Sequence, residues 1–208
     1  MHGTIVFDFD YTLFDAAGFK EAMADTLERC GISKEAFFAA YDATAGSEAT
    51  RRDYDPERQI DALAAHLTCD RLEALRRIDA VVDRVPEFLL PGAITLLRRL
   101  KDEGASMVLL THGNVSWQKR KIARSGLTEL FDQVLFVPEG KETMAAELRK
   151  LAPPVTMVND NGDEIDELTK RFAAFRMIAV RGPKRLPSDP KIPVCETLEE
   201  VYAALTRS

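Results

Sequence analysis

Three cysteines, one tryptophan and no excess of basic charge mark what this 208-residue chain has little of. Cys30, Cys69 and Cys195 are odd in number, widely spaced and in no metal-ligand pattern. That argues against a disulfide framework and a zinc site, and favours a reducing, cytoplasmic setting. With 28 basic against 34 acidic residues the net charge is −6, so no bulk field draws in nucleic acid or an anionic membrane surface. An anionic ligand would have to be held by local cations. No uninterrupted apolar run approaches the roughly 20 residues that span a bilayer. Met1-His2-Gly3-Thr4-Ile5 has no charged region ahead of an apolar stretch before Asp8 intervenes, so no signal peptide is expected either. Internal repeats and low-complexity tracts are lacking too.

What is there is a globular composition, 46% apolar and 30% charged, enough for one large domain or one domain carrying a smaller insertion. Five short segments rich in β-branched and aromatic residues read as buried strands: 4–9, 106–111, 134–137, 155–159 and 176–180. Helical patterns at 92–103, 115–125, 142–151 and 163–172 lie between them, with Asn114 and Asn161 as candidate caps. Strands alternating with helices predict an α/β, Rossmann-like core: a parallel sheet between two helical layers.

Spacing locates the insertion. The intervals Thr111 to Val137, Val137 to Asn159 and Asn159 to Val180 are 26, 22 and 21 residues, whereas Asp10 to Thr111 is 101. A βαβ unit takes roughly 30 residues, so about 70 are surplus to the first crossover. Phe19, Met23 and Leu27, then Ile60, Leu63 and Leu67, then Leu72, Leu75, Ile78 and Val82 recur at helical intervals within that surplus. The expected organisation is a core formed by 1–14 and 91–208, with a small all-α unit at 15–90 hinged near 14–18 and 86–92. Beyond the fifth strand, Gly182 and four prolines predict an irregular connection, and Thr197-Leu198-Glu199-Glu200 a capping box that opens the last helix.

Ligands of parallel α/β sheets bind outside the carboxyl ends of the strands, so the residues that end each apolar run matter most. The first run ends in Asp8-Phe9-Asp10-Tyr11-Thr12, the second in Thr111-His112-Gly113-Asn114 and the fourth in Asn159-Asp160-Asn161-Gly162-Asp163-Glu164; Gly140-Lys141 follows the third. Strand alternation puts Asp8 and Asp10 on one side, with Phe9 pointing away. Carboxylates that close repel unless a cation lies between them, and a third acid, Asp160, makes a hard oxygen-donor set suited to magnesium. Lys141 and Thr111 add an ammonium and a hydroxyl suited to a phosphoryl group.

Asp8-x-Asp10-x-Thr12-Leu13, Thr111, Lys141 and Asp160, in that order, resemble the four motifs of the haloacid dehalogenase-like hydrolase superfamily, mostly magnesium-dependent phosphatases, and the long helical insertion resembles that family's mobile cap. The resemblance implies an α/β core and hydrolysis of a small soluble phosphate monoester. Asp8 would be the nucleophile that forms an aspartyl-phosphate, and Asp10 the acid that protonates the leaving oxygen and then activates water. Thr111 and Lys141 would bind the phosphoryl group. Magnesium would be held by the Asp8 carboxylate, the Asp10 carbonyl and Asp160, with Asp163 or Glu164 supporting it from behind. Closure of the cap would exclude water and select the substrate. Dehalogenase members lack the second aspartate, so Asp10 favours phosphate-ester chemistry.

Three positions depart from the family pattern. Tyr11 stands where glycine is usual, which predicts a different turn after the first motif and a phenol directed at the substrate or the cap; Asn159 replaces the glycine before Asp160, and His112 a frequent asparagine. Plainer readings stand beside the functional ones. Asp160 is also placed to cap the following helix, Lys119 and Lys121 compete with Lys141, and Arg51, Arg52 and His112 read most simply as surface or structural groups. Trp117 reads as packing. Two other functions fit the same acids: a phosphomutase, which passes the phosphoryl group to a second hydroxyl, and a non-catalytic module that holds phosphate on Asp8. The surplus length counts against the second. Gly140-Lys141 is no P-loop, and no Gly-x-Gly-x-x-Gly follows the first strand, so dinucleotide binding is not expected.

Overall fold

The computed structural model describes residues 3–45, 53–137 and 148–207. Its sheet has six strands, β1 (Thr4–Phe7), β2 (Ser106–His112), β3 (Gln133–Val137), β4 (Val155–Asn159), β5 (Arg176–Val180) and β6 (Val194–Cys195), in the order β3-β2-β1-β4-β5-β6. Eight α-helices lie among the described residues: α1 (Ala16–Glu28), α2 (Lys34–Thr44), α3 (Pro56–Ala62), α4 (Arg71–Val82), α5 (Ala93–Asp102), α6 (Val115–Ser125), α7 (Gly162–Arg171) and α8 (Leu198–Thr206). None is long and apolar enough to cross a membrane.

The chain adopts the α/β, Rossmann-like architecture that the alternation of strands and helices predicts. β1 is central and fully buried, and pairs in parallel on both sides, with Phe7 opposite Leu109 of β2 and opposite Val158 of β4. A strand covered on both faces needs an unbroken apolar run, and Thr4-Ile5-Val6-Phe7 supplies one. From β1 the chain builds β2 and β3 on one side and then returns to lay β4 on the other. That reversal opens a crevice at the carboxyl ends of β1 and β4.

The chain divides into two compact units. The first comprises Met1–Asp15, Leu89–Thr111 and Leu127–Ser208. On one face of its sheet Val6, Val108, Leu110, Met157 and Met177 pack with Ile165 and Leu168 of α7. α8 packs against α5 and β5. Two details differ from expectation. β1 stops at Phe7 rather than residue 9, because the next residues close a tight turn in which the N–H groups of Thr12, Leu13 and Phe14 all donate to the Phe9 carbonyl. The proline-rich stretch after β5 yields the short edge strand β6, where Arg181 N–H donates to the Cys195 carbonyl at 2.8 Å.

The second unit comprises Ala16–Phe88 and His112–Gly126, so α6 groups with α1 to α4. α1 packs on α2 and α4 through Phe19, Met23 and Leu27. In α4 the buried stripe is Ala74, Ile78, Val81 and Val82, whereas Leu72, expected inside, is 59% exposed. Tyr54 stacks on Tyr41 at 4.5 Å and meets Trp117 edge-on at 5.1 Å, and Phe19 lies 6.1 Å from Trp117. Asn114 caps α6 by accepting from the Trp117 N–H and donates to Asp53. This ties the start of α6 to the residues ahead of α3. Lys121 is buried on α6 and Lys119 is exposed.

The cysteine reading needs correcting. Cys30 and Cys69 form a disulfide, with Cα atoms 5.0 Å apart, and only Cys195 is free. The C-terminal end of α1 and the N-terminal end of α4 come together, and Thr68 N–H donates to the Cys30 carbonyl beside the bond. Packing of two helices thus joins cysteines that lie 39 positions apart. Cysteine usage therefore gives no support for a reducing setting.

Candidate active site

The crevice at the β1 and β4 ends is built by short-range geometry. Phe9 turns inward and stacks on Phe14 with ring centroids 4.9 Å apart, both fully buried, which anchors the turn that carries Asp8 and Asp10. Asp8 is 7% exposed; its N–H donates to the Val158 carbonyl of β4 at 3.0 Å, and its carboxylate accepts from the Thr12 hydroxyl at 3.4 Å. Asp160 follows β4 directly and is 5% exposed. Thr111, in the last turn of β2, is 1% exposed.

Tyr11 is, among the described residues, the one non-glycine with positive φ, at 61°. The turn therefore keeps the left-handed step that glycine favours, and tyrosine carries it against the Cβ clash that disfavours it. The Tyr11 N–H donates to the Phe14 carbonyl at 2.7 Å. Burial, and after it the carboxylates of Asp10, Asp160 and Asp15, push the phenol up to about 12. The phenol is thus neutral at physiological pH and lies within electrostatic reach of both Asp10, from the first motif, and Asp160, from the fourth.

Beyond Asp160 the two candidate supporting acids part. Asn161, not Asp160, caps α7 by accepting from the Asp163 N–H. Asn159 accepts from the Asn161 N–H and donates from Nδ2 to Glu164 at 3.1 Å, which keeps Glu164 beside the crevice. Asp163 points to the surface, 73% exposed, and pairs with Arg185. Lys141, Arg51, Arg52 and most of the expected 142–151 helix lie outside the described residues. His112 is partly buried, and its carbonyl accepts from Gln118.

Sequence reasoning missed the segment that follows β5. A Cβ on Gly182 would lie 3.1 Å from both Cβ and Oδ2 of Asp160, a contact tight enough that the carboxylate side chain would have to shift. Gly162 N–H donates to the Arg185 carbonyl at 3.0 Å. Arg185 and Ser188 both bond Asp166, and the Ser188 hydroxyl, with Arg185 beside it, holds that carboxyl down to about 2. Gly182-Pro183 was the available signal.

Asp8 and Asp160, two buried carboxylates just past the ends of neighbouring strands, are the hard oxygen donors that fit a divalent ion, and the Asp10 carbonyl would add a third. Among the described residues no three His, Cys, Asp or Glu side chains are grouped to hold a metal.

The description "haloacid dehalogenase-like hydrolase" matches residues 2–168. The chain belongs to the haloacid dehalogenase-like hydrolase family. It is a hydrolase of that family, and solved structures share its fold over nearly the full length. One is described as a haloacid dehalogenase-like hydrolase, from Burkholderia xenovorans LB400 (23% identity, 99% of this chain and 98% of that chain, TM-score 0.67). Another is the HAD-hydrolase YfnB from Bacillus subtilis, solved bound to magnesium (18% identity, 99% and 99%, TM-score 0.67). A third is the L-2-haloacid dehalogenase from Xanthobacter autotrophicus (19% identity, 99% and 98%, TM-score 0.66). No curated protein sequence matches the chain. The hydrolases of this fold thus include dehalogenases, and the choice of reaction rests on this chain's own residues.

Proposed function

We propose that the protein is a magnesium-dependent phosphatase that hydrolyses a small soluble phosphate monoester through an aspartyl-phosphate on Asp8. The observation that carries this reading is the second aspartate: Asp10 follows Asp8 by two residues, in a turn pinned by the Phe9 carbonyl. Carbon–halogen hydrolysis needs a nucleophilic carboxylate but no acid for its leaving halide, whereas an alkoxide leaving from phosphorus needs a proton.

The Asp8 carboxylate attacks phosphorus, the ester P–O bond breaks, and the Asp10 carboxylic acid gives its proton to the departing oxygen. Asp10, now a carboxylate, takes a proton from water as that water attacks the acyl-phosphate phosphorus, which releases inorganic phosphate and restores Asp8. Thr12 orients Asp8 through its hydroxyl. Thr111 and Lys141 hold the phosphoryl oxygens, and Glu164 rather than Asp163 supports the acid loop through Asn159. The Asp8 carboxylate, the Asp10 carbonyl and Asp160 would hold a magnesium ion, which would supply charge stabilisation for the phosphoryl oxygens.

A paired assay tests the reaction class. Phosphate release from p-nitrophenyl phosphate and halide release from 2-chloropropionate are measured with magnesium and with EDTA. The proposal expects magnesium-dependent phosphate release and no halide. Halide release without phosphate release would overturn it. Transfer to a second hydroxyl with no free phosphate would instead identify a mutase.

A further inference from the structure

The segment 181–188 meets Asp160 and the start of α7 at three successive levels. At the first, the backbone of Gly182 lies against the carboxylate itself, as the 3.1 Å separation of its would-be Cβ from Asp160 Oδ2 shows. At the second, two residues on, Gly162 meets the segment backbone to backbone: its N–H donates to the Arg185 carbonyl at 3.0 Å, and a Cβ there would fall 2.3 Å from the Leu186 carbonyl carbon. Only glycine fits. At the third, on the first turns of α7, the Arg185 guanidinium bridges Asp163 and Asp166, and Ser188 adds its N–H and hydroxyl to Asp166 at 2.9 and 2.6 Å.

Each exposed ion pair alone contributes little. Asp166 is different, because its side chain is only 15% exposed and receives three bonds from this one segment. The attachments fall on Asp160, in the turn between β4 and α7, and on Gly162, Asp163 and Asp166 in the first two turns of α7. They also come from the chain that leaves β5, the strand paired with β4. The Asp160 side chain thus lies against a segment that is itself tied to α7.

We propose that residues 181–188 form a clasp that fixes the direction of the Asp160 carboxylate, with Gly182 and Arg185 as its positioning residues. This rests on the metal role given to Asp160 in the proposed function. Gly182 acts by leaving room: a Cβ there, 3.1 Å from Asp160 Cβ and Oδ2, requires that side chain to give way by a few tenths of an ångström. Arg185 acts by tension, since it anchors the clasp to α7 through Asp163 and Asp166 while its carbonyl holds Gly162. Neither residue touches substrate.

The test uses the full chain, the variants Gly182→Ala, Arg185→Met and Arg185→Lys, and Mn2+ as probe. Binding is read by electron paramagnetic resonance of free Mn2+ without substrate, next to circular dichroism, and the KM for p-nitrophenyl phosphate is measured at saturating magnesium. The expected result is at least a fivefold weaker Mn2+ affinity for Gly182→Ala and Arg185→Met with native circular dichroism, a partial return in Arg185→Lys, and KM within twofold of wild type. Wild-type Mn2+ affinity in both folded variants would overturn the clasp while leaving the phosphatase reading intact. A wild-type protein that neither binds Mn2+ nor releases phosphate would overturn both. A KM change without an Mn2+ change would mark the segment as a substrate contact and likewise refute the proposal. If Gly182→Ala fails to fold, Arg185→Met decides the question alone.

Discussion

The hydroxyl of Thr12 reaches back to the carboxylate of Asp8 at 3.4 Å, inside a turn where Thr12, Leu13 and Phe14 are fully buried. That bond is long, so its net worth lies within the usual range of about 0.5–1.5 kcal/mol. Thr12→Val keeps the shape and removes the donor. The expected outcome is a roughly three- to tenfold fall in kcat for an aryl phosphate, with the fold retained by circular dichroism. An unchanged kcat would mean that Thr12 does not orient Asp8.

Tyr11 holds a left-handed conformation at φ 61° that costs a residue with a Cβ about 1–2 kcal/mol. Tyr11→Gly removes that strain, but it also frees the unfolded chain and discards a half-buried ring. These effects oppose one another. The unfolding free energy from urea titration should therefore change by less than about 1.5 kcal/mol, far less than the loss of a buried ring elsewhere would cost. A loss above about 3 kcal/mol would show that the strain is negligible and the ring's packing dominant.

The Cys30–Cys69 bond closes a loop across 39 positions of the helical unit. In the chain-entropy account a loop of that length is worth up to about 4 kcal/mol. Reduction, or the double variant Cys30→Ser and Cys69→Ser, should lower the melting temperature of that unit. Melting curves that coincide with and without reductant would contradict the pairing.

Asp166 supplies a pH test. Its folded carboxyl is held down to about 2, by Ser188 first and Arg185 with it, against an ordinary value of 3.8. A depressed carboxyl stabilises the fold above its unfolded value, and that contribution fades as pH falls from 3.8 toward 2. Carbon-detected NMR titration of the side chain should give a midpoint near the lower value. Asp166→Asn should flatten the acid loss of stability over the same window. A midpoint at the ordinary carboxylate value would dissolve the network.

How much of this is legible in the sequence depends on the range of the interaction. The strands are written in local chemistry: an apolar, β-branched run must be buried on both faces, and a run that stops at Asp8 or Asn159 marks where the crevice lies. The endings of β1 and β4 thus place Asp8 and Asp160 at one edge of the sheet, and the pairing of those two strands, which sequence does not reveal, makes them neighbours. The exact end of β1 is not legible, because the Phe9 carbonyl captures three N–H groups through a turn that no propensity encodes. Nor is the inside of α4, where a helical stripe through Leu72 is as plausible on paper as one through Ala74, and only the neighbouring helices choose between them. The disulfide and the grip of 181–188 on the acid loop are both contacts between distant segments. Composition reads the first as three unrelated cysteines and the second as an irregular, proline-rich connection. Within the acid loop, Asp163 and Glu164 are equivalent by sequence and distinguished by their partners, Arg185 for one and Asn159 for the other.

The central claim is that Asp8 takes the phosphoryl group. The most direct measurement is to quench the enzyme during turnover of an aryl phosphate with magnesium, reduce with borohydride, and locate the modified residue by peptide mass spectrometry. The account predicts reductive modification of Asp8 in wild type and none in Asp8→Asn, which should also release no phosphate. Modification at another residue, or full phosphate release by Asp8→Asn, would contradict it.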